Sequence, residues 1–319
     1  MARKLIIVLA VFAAFLGSSC GGGGFAFPFF GIIVVDAGND RIVFIQNMAG
    51  LGWTTFGSSG AGTNQFQNPS DVARDSLGRY YFVDALNDRV VRVDDLTGTN
   101  WIAFGTSGAG VNQFDTPLGI ALDSLDRIYI ADTQNDRIVR ISNMTGAGWL
   151  AYGTAGSGVD QFQNPENVHV DGAGAIIVAD SANDRIAKFT DMLGAGWTTF
   201  GTFGAGVGNF NSPQGVCTDT FDRLYVADTG NNRIVRLDDI TGFNWTAFGT
   251  LGAGVNQLNG PINVQTDAAN FIYISDTNNS RAVKINGMNG FGWQAFGTLG
   301  AGVGNFNSPT TVLPLVDVP

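Results

Sequence analysis

Residues 69–116 read PSDVARDSLGRYYFVDALNDRVVRVDDLTGTNWIAFGTSGAGVNQFDT, and this 48-residue unit decides the fold because the chain repeats it without insertion or deletion. Its landmarks recur at one spacing: Trp53, Trp101, Trp149, Trp197, Trp245 and Trp293, then Pro69, Pro117, Pro165, Pro213, Pro261 and Pro309. Arg41, Arg89, Arg137, Arg185, Arg233 and Arg281 keep the same interval. Asp36, Asp84, Asp132, Asp180, Asp228 and Asp276 each stand five residues before an Arg. Within the unit, Ser70–Asp75 is a short segment centred on Val72, and Arg79–Asp84 is aromatic and β-branched, as a buried strand should be. Arg89–Val93 is a third strand and Trp101–Phe104 a fourth, with polar or Gly-containing turns between them. No segment beyond the N-terminus has a helical period.

Four strands joined by short turns make an antiparallel sheet, and six such sheets at a fixed period make an all-β, six-bladed β-propeller. The first strand of the first copy is missing before Val34–Asp36, and its counterpart stands at the other end as Thr310–Leu315. One blade is therefore expected to be composite, built from a C-terminal inner strand and three N-terminal strands, which leaves no free sheet edge.

The runs Pro117–Asp123, Ile128–Asp132 and Asn135–Val139 resemble an NHL repeat. So do Pro213–Val216, Leu224–Asp228 and Asn231–Val235, with the linker at 204–213. The resemblance extends over all the copies and implies the same six-bladed propeller. It does not single out a function, because that family spans ligand-binding modules, sensor domains, RNA-binding domains and a few enzymes.

Composition narrows the function classes. The chain has 319 residues, 45 % hydrophobic and 14 % charged, long enough to bury a core without disulfides or metal. A formal charge of −10 argues against a nucleic-acid backbone as partner, and a single His removes chemistry that needs several imidazoles. Residues 1–19 read as a signal peptide: Arg3 and Lys4, the apolar run Leu5–Leu16, then Gly17-Ser18-Ser19. Cys20 and the glycines after it (20–31) resemble a lipidated cysteine on a flexible tether, although Gly17 stands where such signals usually carry Leu. The propeller is assigned to 32–319. The expected protein is exported to the periplasm or cell surface, touches membrane through a lipid anchor alone, and is a monomer; without the anchor it would be simply secreted. Cys217 has no partner in that scheme and reads as a small buried filler.

Residues that recur in every copy read as scaffold, so function is sought where copies differ. In a four-stranded blade the two residues after each Pro start the inner strand beside the channel mouth. They are Ser70-Asp71, Leu118-Gly119, Glu166-Asn167, Gln214-Gly215, Ile262-Asn263 and Thr310-Thr311. The nearby turns add Asp40, Asp88, Asp136 and Asp184, with Asn232 and Ser280 in the other two, so this end is expected to be polar and negative. The candidate ligand-binding residues are Asp71, Glu166, Asn167, Gln214 and Asn263, suited to a cation or to a basic or hydroxyl-rich ligand. No catalytic residue and no cofactor is assigned. A zinc site or a Ser-His-Asp triad fails on His169 standing alone, and His169 reads as an interior or channel residue. The leading expectation is a ligand- or protein-binding scaffold rather than an enzyme. The alternative is a lactonase- or esterase-like hydrolase holding a divalent cation with the mouth's carboxylate and amide oxygens, for which no specific motif is present.

Overall fold

The computed structural model describes residues 30–316, and in them six four-stranded antiparallel sheets surround a central channel. Blade 1 is formed by Pro69–Arg74, Tyr80–Asp84, Arg89–Val93 and Ile102–Phe104, listed from the channel outward. The inner strands of blades 2 to 5 are Pro117–Leu122, Pro165–Val170, Pro213–Thr218 and Pro261–Thr266. Blade 6 is the composite one: Pro309–Val316 pairs antiparallel with Phe30–Asp36, followed outward by Arg41–Ile45 and Thr54–Phe56. Six residues of each chain end lie in register there, from Phe30 opposite Val316 to Val35 opposite Thr311, and after a one-residue slip Asp36 faces Pro309. The signal segment and Cys20 lie outside the described residues.

The core sits between blades. One cluster joins Ile33, Val35 and Phe56 of blade 6 to Val72, Phe82 and Val91 of blade 1, and five further clusters repeat the arrangement around the ring. At the top of each interface a linker aromatic is sealed: Phe66, Phe114, Phe162, Phe210 and Phe306 are fully buried, and Leu258 fills the sixth place. Burying each such side chain contributes roughly 1.5–3 kcal/mol. The half-buried Trp101 leans on this layer, with its ring centroid 5.4 Å from Phe66 and 6.2 Å from Phe56 of the preceding blade. The Gly-rich linkers are not plain coil: Thr106–Ser107 pairs in parallel with Gln113–Phe114, and Phe203 bridges to Phe210 in the same way.

The recurring Asp, Asn and Arg form one hydrogen-bonded node per blade. In blade 2, Arg137 Nε donates to Asp132 Oδ2 at 2.6 Å, Asn135 Nδ2 donates to the same carboxylate, and the Asp115 N–H closes the other oxygen at 2.8 Å. The remaining Arg137 nitrogens donate to the carbonyls of Ala109 and Gln113 in the linker, and its guanidinium lies 5.6 Å from the centre of Trp149. Asp132 is fully buried, so desolvation pushes its carboxyl upward while these donors pull it back. The node thus ties two strands, the incoming linker and the Trp together, and the same set is built on Asp36, Asp84, Asp180, Asp228 and Asp276.

Candidate functional site

Every inner strand opens with an irregularity that aims side chains at the channel. In blade 2 Pro117 pairs with Asp132 and Gly119 with Ala131, so Leu118 is an extra residue with no partner, a β-bulge. The same slip makes Glu166, Gln214, Ile262 and Thr310 the bulged residues of blades 3 to 6, and blade 1 slips between Pro69 and Val72. The five residues expected from sequence, Asp71, Glu166, Asn167, Gln214 and Asn263, all line one cavity of about 450 Å³ at this end, with Ser70, Leu118, Ile262 and Thr310.

Glycine explains how the blades approach there. A Cβ on Gly119 would stand 2.6 Å from the Asn167 Cα, and one on Gly215 would stand 2.6 Å from the Ile262 carbonyl oxygen. The next blade's bulge therefore packs against bare backbone in both places.

Asp71 and Asn167 form the cavity floor. Asp71 is 3 % exposed. Its carboxylate accepts from the Val72 N–H at 2.9 Å, the Thr311 hydroxyl at 2.8 Å, the Ile120 N–H at 3.0 Å and Asn167 Nδ2 at 3.2 Å. Asn167 Oδ1 in turn accepts from the Val216 N–H of blade 4. This chain of bonds links blades 6, 1, 2, 3 and 4 across the axis. Burial raises the Asp71 pKa to about 6 in spite of the four donors.

Glu166 is bonded differently. Burial raises its pKa to about 7, and the opposing influence is a single side-chain hydrogen bond from Gln214. Gln214 Oε1 is buried and without a donor among the described residues. Asn263 is 4 % exposed, and its Oδ1 accepts from Gln265 Nε2 at 3.3 Å.

Below the Asp71–Asn167 floor lies a second cavity of about 160 Å³, lined by Asp71, Asn167, His169, Gln265 and Leu313 among others. His169 faces it. The Thr218 N–H donates to His169 Nε2 at 3.2 Å and the Thr218 hydroxyl lies 2.8 Å away, while burial drops the imidazole pKa to about 4. The ring is therefore neutral at ordinary pH. Cys217 is 1 % exposed, and burial pushes its thiol far up, so it is an inert filler.

The acidic turn residues behave otherwise than expected. Asp40, Asp88, Asp136 and Asp184 sit at left-handed positions with φ of 50–53° and are not among the residues lining the mouth cavity. Each accepts the N–H of the residue before the next Pro, as in Asp136 Oδ1 with Asn164 at 2.8 Å. Asn232 does the same for Gly260. They are inter-blade clasps outside the mouth cavity, and the negative charge of the mouth rests on Glu166 and Asp71.

One feature lies outside the residues singled out from the sequence. At the opposite end, between blades 5 and 6, a cavity of about 510 Å³ is lined by Gly31, Met48, Phe271, Tyr273 and Lys284. Lys284 Nζ stands 4.0 Å from the Phe271 ring centre, and desolvation lowers its pKa. Blades 1, 2 and 4 hold Arg79, Arg127 and Arg223 where blade 5 has Phe271, and each Arg pairs with an Asp there. That one-residue exchange in a repeating hairpin was the available clue.

Comparison with known proteins agrees with the architecture. Residues 210–237 match the family model of the NHL repeat. No curated protein matches the sequence. Among solved structures, the nidogen–laminin complex contains a chain 19 % identical, with 80 % of this chain and 89 % of that one aligned at a TM-score of 0.63. A streptogramin B lyase is 12 % identical over 86 % of this chain and 84 % of that one, at a TM-score of 0.58. A catalytically inactive virginiamycin B lyase from Staphylococcus aureus, solved with quinupristin, is 15 % identical over 81 % of each chain, at 0.56. At such identities the likeness is one of fold. The protein is a six-bladed β-propeller of four-stranded antiparallel blades.

Proposed function

We propose that this propeller is a binding scaffold that works outside the cytoplasm, takes a ligand or a segment of a partner protein in the channel mouth, and is tethered by lipid on Cys20. The observation that carries the binding reading is the bonding of the mouth itself. Asp71 spends its carboxylate on four donors from three other strands and its own neighbour, and His169 lies beneath the floor with Nε2 met by Thr218. Glu166 is then the one titratable group in the cavity lining not consumed by the scaffold, which suits recognition better than acid–base or nucleophilic catalysis. A pocket of this size, concave and preformed with a few converging polar groups, is what a ligand site requires.

The structural neighbours include lyases and a propeller solved with laminin, so the fold accommodates both chemistry and binding. A metal-assisted hydrolase would have to draw its oxygen ligands from Glu166, Asn167 and Asn263, a set with one carboxylate, and it remains the second reading.

Mapping a screened ligand by hydrogen exchange tests the site. Protection is expected at 70–71, 166–167, 214 and 262–263, and protection confined to the outer strands would refute it. For the tether, Cys20→Ser is expected to release the protein from the membrane fraction with its melting temperature unchanged. An unmodified N-terminus in the intact mass of the native protein would replace anchoring with secretion.

A further inference from the structure

The six bulged positions form an ordered arc around the mouth. Passing from blade 2 to blade 5 they read Leu118, Glu166, Gln214, Ile262. The polar pair stands in the middle with an aliphatic side chain on either flank. The other two positions are closed off: the Ser70 hydroxyl donates to the Leu118 carbonyl at 2.7 Å, and the Thr310 hydroxyl turns to the Pro69 carbonyl at 3.4 Å. The amides near them are committed too, since Asn167 uses Nδ2 on Asp71 and Oδ1 on Val216.

What the polar pair still offers is mainly acceptors. Gln214 gives one amide N–H to Glu166 and keeps a second, while the Glu166 carboxyl and the orphan Gln214 Oε1 have acceptor capacity to spare. A buried acceptor without a donor is costly, and a ligand that supplies donors relieves it. Among the described residues no cation stands beside Glu166, so a positive charge brought into the mouth would favour its ionised form. The chain's formal charge of −10 draws cations toward it as well.

We propose that the mouth recognises a cation on an alkyl stem, such as an arginine or lysine side chain presents, with Glu166 and Gln214 Oε1 holding the charged head and Leu118 and Ile262 covering the stem. The inference rests on the mouth being the binding site. Long basic side chains are amphipathic in this manner, a charged tip on a methylene stem, and the arc matches both parts. An anionic ligand meets the Glu166 carboxyl and the unpaired Gln214 oxygen. A bare divalent ion meets one carboxylate and gains nothing from the aliphatic flanks.

The test compares butylguanidinium with its neutral isostere butylurea, titrated calorimetrically into the full propeller, with guanidinium and Ca²⁺ as further probes. Butylguanidinium is expected to bind at least about tenfold more tightly than butylurea or guanidinium. Glu166→Gln should abolish the preference over butylurea, and the Leu118→Ala/Ile262→Ala pair should abolish the preference over guanidinium, each variant still unfolding in one cooperative transition. If butylurea binds as tightly as butylguanidinium, and Glu166→Ala/Asn263→Ala weakens both, the mouth is the site but the cation inference is wrong. Preferential binding of Ca²⁺ would overturn it in favour of a metal. Butylguanidinium binding that ignores the mouth substitutions, or no binding of any probe, would overturn both the inference and the site.

Discussion

The Asp–Arg–Asn node and the channel mouth are built by the same 48-residue unit, yet they follow opposite rules. The node is the same in six blades: a fully buried Asp, an Arg Nε 2.6–2.7 Å from it, and a guanidinium 5.2–5.8 Å from a Trp ring centre. The first mouth residue after each Pro differs in every blade, and the bonds of the mouth cross the axis: Asp71 reaches blades 6, 2 and 3. A residue needed six times over is needed by the blade. A residue found once is free to serve an asymmetric ligand, since one small molecule cannot use six equivalent positions.

The largest effect should come from breaking the ring itself. Removing residues 309–319 strips blade 6 of its inner strand and exposes the edge of Phe30–Asp36. The truncated protein is expected to lose its cooperative melting transition and to associate, as read by circular dichroism and size-exclusion chromatography. A truncated monomer with the parent's melting temperature would contradict the composite blade.

Next is the node. Asp132→Ala leaves Arg137 facing a partner it no longer has and frees the Asp115 N–H, so the loss should be about 3–5 kcal/mol, the usual cost of removing one member of a buried pair. Urea unfolding measures it. A loss no greater than that of a mouth substitution would erase the contrast between the two regions.

Smaller still is the pH dependence. Asp71 near 6 and Glu166 near 7 lie above the unfolded carboxylate range near about 4. The folded state therefore holds more protons than the unfolded state between those values. The stability these groups contribute is fully present below the unfolded pKa and is lost as pH rises through the folded one. The node carboxylates are raised as well and act in the same sense, whereas Asp123 and Asp171 are lowered and oppose it. Glu166→Gln should thus shrink the fall in melting temperature between pH 5 and pH 8 relative to the parent. An unchanged or steeper fall would mean that Glu166 is not desolvated in the folded protein.

Much of this is legible in the sequence alone. The aromatic and β-branched run at 79–84 is observed as the strand Tyr80–Asp84, and the missing first strand at the N-terminus is supplied by Pro309–Val316. Variation after each Pro pointed to Asp71, Glu166, Asn167, Gln214 and Asn263, and they do share one cavity. What was not legible is non-local. Nothing in a single unit tells that Asp71 is held by Thr311, 240 residues away, while Glu166 is left with a lone donor. Nor does a charged turn residue reveal whether it faces a channel or clasps the next blade, as Asp136 does through the Asn164 N–H. The bulge was hidden too, because it is a property of the pairing of two strands and not of either one.

The most direct test of the division between scaffold and site is one variant measured twice. Glu166→Ala/Asn263→Ala removes the least committed side chains of the mouth and touches no node, so any loss of unfolding free energy should be clearly smaller than that of Asp132→Ala. Its affinity for a mouth ligand, read by calorimetry, should be lost. Unaltered affinity, or a loss of stability equal to that of Asp132→Ala, would contradict the account.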